Sequence, residues 1–152
     1  MTNRIDRTLD RILFLARRFQ VSDARYITKI IVLELGVLPK YDGYRYLVQA
    51  IALYIEAPVL VTIKNIYSAL AALYNETVDA KQIEQSIRSA IRQAWKSRDE
   101  DIWRCYFPLD VYGEIEKPSN GDFISTVACV VDLWKGWCRD YEKGIHSEEE
   151  VL

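Results

Sequence analysis

The stretch TVDAKQIEQSIRSAIRQAWKSR, residues 77–98, decides how the rest of the chain is read. Ile83, Ile87, Ile91 and Ala94 recur at helical spacing, with Ala90 and Trp95 beside them, so one face of a helix is apolar and predicted to be buried. Asp79 stands ahead of this run as an N-cap, with Thr77 the alternative. Either side-chain oxygen can accept from an otherwise unpaired backbone N–H. Lys81, Gln85, Arg88 and Arg92 fall at offsets of four, seven and eleven, which aligns them along the opposite side. Glu84 and Ser89 flank that row. Lys81, Arg88, Arg92, Lys96 and Arg98 against Glu84 make the helix locally basic. Guanidinium and amide groups at helical spacing suit a DNA major groove, since arginine can be bidentate to guanine and glutamine to adenine. The pattern alone also fits the solvated basic face of an ordinary amphipathic helix.

The preceding segment bears on that choice. Residues 60–74 carry Ile63, Ile66, Tyr67, Leu70, Ala71 and Tyr74 at helical spacing, and 75–78 form a short polar turn. Small residues Ala69, Ala71 and Ala72 allow a second helix to approach closely. A helix, a short turn and a basic second helix together predict a helix-turn-helix unit.

Further upstream, Ser22 or Asp23 caps a helix running to Leu35, which Gly36 ends at the C′ position. Asp42 is predicted to cap a helix over 43–55 that turns Tyr46, Leu47, Ala50, Ile51 and Tyr54 inward. Residues 3–19 read as a helix with the seam Ile5, Leu9, Ile12, Ala16 and Phe19. That seam either packs back on its own domain or forms a dimer contact. Downstream, the acidic turn 99–101 suits the start of a short helix carrying Ile102, Trp103, Tyr106 and Phe107. Residues 109–116 read as a loop or one small strand. Ser119 to Asp122 resembles a capping box opening a last helix that buries Phe123, Ile124, Val127, Ala128, Val131 and Trp134. The predicted fold class is all-α, with about six to seven helices around the helix-turn-helix unit. Its parts are an N-terminal helical extension over 1–21, the main domain over 22–141 and an acidic tail over 142–152.

Composition excludes several classes of function. Half of the 152 residues are apolar and 28% charged, which indicates a globular chain rather than a disordered one. The net charge of −2 argues against an indiscriminate nucleic-acid coat but leaves room for a local basic surface. Three cysteines, Cys105, Cys129 and Cys138, lack metal-ligand spacing, and Cys129 falls at core spacing with Ile124 and Val131. The single histidine, His146, sits in the acidic tail, a poor place for a general base that needs fixed geometry. No apolar run approaches the ~20 residues of a membrane span. The sequence therefore predicts a cytoplasmic protein that is no enzyme and uses no metal or cofactor.

Four ordered blocks carry a resemblance. They are ITKIIVLELGVLPKYDGYRYLVQAI at 27–51, LAALYN at 70–75, IEQSIRSAIRQAW at 83–95 and KPSNGDFIS at 117–125. Together they resemble the C-terminal DNA-binding effector domains of the response regulators that initiate sporulation. The resemblance covers roughly 23–134. It implies an all-helical fold with a large helix-turn-helix unit, the block at 83–95 as recognition helix, and a dimer contact through the last helix on tandem sites. Glu84 and Arg88 match the family's reading positions, whereas Gln85 stands where the family has arginine, which shifts the expected preference from guanine toward adenine. No receiver domain precedes the matching blocks, and the helix over 3–19 stands in that place. The expected site is then Glu84, Gln85 and Arg88 on base edges, with Lys81, Ser89, Arg92 and Lys96 on phosphates. The expected partners are double-stranded DNA and a second copy of the chain, through the N-terminal or last helix. The alternative is a protein-interaction module on the same fold that has lost DNA binding and acts as competitor or partner of a full-length regulator.

Overall fold

The computed structural model describes residues 24–57, 62–75 and 77–142. Among these lie six helices and no strand: α1 (Ala24–Glu34), α2 (Asp42–Glu56), α3 (Ile63–Leu73), α4 (Ala80–Lys96), α5 (Glu100–Tyr106) and α6 (Asn120–Glu142). The all-α class is as predicted. The helix expected over 3–19 and the tail from 143 onward lie outside the described residues.

Short polar side chains set most helix starts. At α3 the Thr62 hydroxyl accepts from Asn65 N–H at 3.2 Å. The Asp99 carboxylate accepts from Asp101 and Ile102 N–H at the head of α5, as the acidic turn led one to expect. Ser119 Oγ accepts from Asp122 N–H at 3.1 Å at the head of α6. Asp42 does not act as the predicted cap. It is the first residue of α2, behind Tyr41, and its carboxylate instead meets Arg45 at 3.3 Å. The end of α1 is a full Schellman turn. Gly36, at φ 93°, donates its N–H to Leu33 O, and Val37 donates to Val32 O. A residue with a Cβ would be strained at that φ.

Helix α2 is the hub, packing against α1, α3, α4 and α6. It contributes Tyr46, Leu47, Ala50 and Ile51 to the core, joined by Ile27 and Ile31 of α1 and by Phe123, Val127 and Trp134 of α6. Each such large apolar side chain contributes about 1.5–3 kcal/mol on burial. Two expectations fail here. Tyr54 is 40% exposed rather than inward, because α2 has turned that position past its neighbours. Cys129 is exposed, since the buried stripe of α6 uses Ala128, Val130 and Val131 on either side of it.

Short α5 seals one end of the core. Trp103 is fully buried, stacked on Phe107 at 4.9 Å and edge-on to Trp95 at 5.5 Å. Its Nε1–H donates to Leu35 O at 3.0 Å, satisfying a carbonyl left over at the end of α1. Between α5 and α6 a single antiparallel bridge joins Leu109 and Ile115. Asp110 Oδ1 closes that loop by accepting from Tyr112 and Glu114 N–H. No helix among the described residues is long and apolar enough to cross a membrane.

Candidate nucleic-acid interface

Asp79, not Thr77, caps α4, and it does so as half of a capping box. Its carboxylate accepts from Gln82 N–H at 2.8 Å while Gln82 Oε1 accepts from Asp79 N–H at 2.9 Å. From that fixed start the helical period buries Ile83, Ile87, Ala90, Ile91 and Ala94 against α2 and α3. Burial of the isoleucines sets the roll of the helix about its axis. The opposite face is thereby held toward solvent.

Lys81, Gln85, Arg88, Ser89, Arg92 and Lys96 are all exposed on that face, and Glu84 is half-buried at its edge. Lys81, Arg92 and Lys96 make no ion pair among the described residues, so three cations of the row are unneutralised. Arg88 differs, for its guanidinium is hydrogen-bonded to the Glu84 carboxylate one turn earlier. With the Arg88 side chain 56% exposed, such a pair is worth at most about 1 kcal/mol and opens readily to a competing acceptor. Arg98 leaves the row altogether. Its guanidinium lies 3.6 Å from the Trp95 ring centre, donates to Trp95 O at 2.7 Å and pairs with Glu100 at 3.2 Å.

Two neighbours frame the face. On one side the start of α2 (Tyr41, Asp42, Gly43) and the edge of α4 (Gln85, Ser89, Gln93) line an open groove of about 420 Å³. On the other, Asn120 at the start of α6 donates to Tyr67 Oη and to the Glu84 carbonyl oxygen, both at 3.1 Å. Burial holds the Tyr67 hydroxyl above its usual pKa, an effect the Asn120 hydrogen bond partly offsets. A third element steadies the turn ahead of α4. Tyr74 Oη donates to Gln49 at 2.6 Å and accepts from Arg45 Nε at 3.0 Å, with the Arg45 guanidinium over the Tyr46 and Tyr74 rings. Sequence spacing did not point to Asn120, Arg45 or Gln49, because each acts across helices that are distant in sequence.

A helix, a tight turn and a second helix with an exposed basic face, inside an all-helical domain, define the helix-turn-helix class. The family described as "Sporulation initiation factor Spo0A C terminal" matches residues 27–131. The chain belongs to this family of DNA-binding effector domains.

Proposed function

We propose that this chain is a sequence-specific regulator of transcription that reads double-stranded DNA by laying α4 in the major groove. The observation that carries the proposal is the solvent-facing row of α4, with Lys81, Arg92 and Lys96 free of carboxylate partners among the described residues. Arg88 and Gln85 stand in the middle of the row and reach base edges, Arg88 toward guanine and Gln85 toward adenine. Glu84 orients Arg88 and accepts from a cytosine amino group. Lys81, Ser89, Arg92 and Lys96 hold phosphates and set the register without reading sequence. The work is recognition rather than catalysis and takes place on DNA in the cytoplasm.

Selection of duplexes from a random library, at about 150 mM salt where exposed charges are screened beyond ~8 Å, tests this. The expected outcome is an enriched motif, lost when Lys81, Arg92 and Lys96 are all replaced by alanine. A chain that enriches no motif would instead be an interaction module on this fold.

A further inference from the structure

We infer that Asn120, at the first turn of α6, is a positioning residue that fixes where Arg88 stands in the reading row; the inference rests on the proposed DNA-reading role of α4. The Asn120 amide nitrogen donates to two acceptors on two other helices, Tyr67 Oη of α3 and the Glu84 carbonyl of α4, each at 3.1 Å. A backbone carbonyl only accepts, so the nitrogen and not the oxygen of Asn120 must face Glu84. Glu84 is in turn the residue whose carboxylate holds the Arg88 guanidinium. One amide therefore ties α3, α4 and α6 together at the residue that orients Arg88.

Packing alone does not set the spacing here. An open cleft of about 250 Å³ lies beside the tie, lined by Tyr67, Glu84, Arg88, Ile91 and Pro118. Beside that gap the hydrogen bond adds a directional constraint on how α4 meets the start of α6, where the two helices also pack. The start of α6 is itself seated firmly. Pro118 is buried, and a Cβ on Gly121 would lie 3.3 Å from Ile63 Cγ1. Asn120 thus transmits a fixed point of the scaffold to the reading face.

The test compares the full chain with Asn120→Asp, Arg88→Ala and the double variant. Aspartate suits the first turn of a helix, so α6 keeps its start, yet the carboxylate has no N–H for the Glu84 carbonyl and repels it. Binding is measured to a library-selected duplex and to the same duplex altered at the base pair lost from the Arg88→Ala motif. The ratio of the two cancels the added negative charge, which acts on all sequences alike. Asn120→Asp is expected to fold and to lower that ratio by about fivefold, the lower end of what one misread base pair costs. In the Arg88→Ala background it is expected to change the ratio no further. In the free protein the Glu84 carbonyl carbon and the Arg88 guanidinium resonances should both shift. An unchanged ratio, or a loss that simply adds to that of Arg88→Ala, overturns the inference. If the wild-type chain enriches no motif, the proposed function fails, and unmoved Arg88 resonances then separately refute the tie. Asn120→Ala replaces the aspartate variant in the same comparisons should the latter unfold.

Discussion

A side-chain carbon on Gly43 would stand 2.6 Å from Cβ of Ala90 and closer still to the Ser86 carbonyl oxygen. The first turn of α2 therefore touches the backbone of α4 directly, and no larger residue fits between them. Gly43→Ala should push the two helices apart or bend them, at a cost of roughly 1–3 kcal/mol, because overpacked contacts between rigid backbones relax poorly. Thermal unfolding measures it. A variant that melts with the wild-type chain would mean that α4 sits elsewhere.

The roll of α4 rests on its isoleucines. Ile87 is fully buried and Ile91 nearly so, at 2% exposure. Truncation of Ile87 to alanine leaves a cavity in the core beneath α4 and should cost about 2–5 kcal/mol. Urea titration gives the value. A cost below about 0.5 kcal/mol would contradict burial at this position and, with it, the outward direction of the row.

Much of this arrangement was legible in the sequence because it is local. The Ile83, Ile87, Ile91 and Ala94 period, the Asp79 cap, the Gly36 stop and the acidic start of α5 all depend on neighbours within one or two turns. What was not legible depends on where helices meet. Gly43 stood in the sequence as the first residue of the helix predicted over 43–55, yet its role is to let α2 touch α4. Arg98 was counted among the helix cations, but past Lys96 the chain turns back and stacks it on Trp95. Cys129 shares the spacing of core residues and still faces outward, because a single helix stripe has edges that only packing defines. Of the site, the composition of the row was readable from the start. The Glu84–Arg88 pairing was implicit in an i, i+4 spacing, whereas the tie from Asn120 was not.

Arg88 and Arg92 stand one turn apart on the same exposed face but should fail differently. Arg88→Ala should weaken binding to the selected duplex by about 1–3 kcal/mol and relax preference at one base pair. Arg92→Ala should weaken binding to every sequence alike and reduce the salt slope by about 1, as loss of one phosphate contact requires. Affinities over a salt series for both variants separate the two behaviours. If Arg92→Ala changed base preference while Arg88→Ala left it intact, the roles would have to be exchanged.

Tyr67 predicts an alkaline weakness. Burial raises its hydroxyl pKa above the usual tyrosine value of about 10, so the folded chain holds that proton where the unfolded chain has released it. Its contribution to stability is complete below about pH 10 and is lost as pH rises through the raised folded value. Tyr67→Phe removes this titration and also the acceptor for Asn120, at a cost of about 0.5–1.5 kcal/mol near neutral pH. The gap between variant and wild type should therefore narrow in urea titrations taken above about pH 10. A constant gap across that range would assign the alkaline loss to other groups.

A single helix-turn-helix reads only a few base pairs, too few to mark a site in a genome, so such domains generally act in pairs on two half-sites. For this chain we propose a weak dimer in solution that tightens on DNA. Two candidates for the contact follow. The seam Ile5, Leu9, Ile12, Ala16 and Phe19, read from the sequence alone, is one. The outer side of α6, where Leu133 is 52% exposed, is the other. Sedimentation of the whole chain and of a chain beginning at Ser22, each with and without the selected duplex, distinguishes them. If the N-terminal seam contributes, the shortened chain should be monomeric where the whole chain self-associates, and should pair on DNA more weakly. If α6 alone suffices, both chains should pair equally on DNA. A whole chain that stays monomeric at high concentration and binds its site as one copy would end the dimer proposal. Loss of folding in the shortened chain would show instead that residues 1–21 belong to the core.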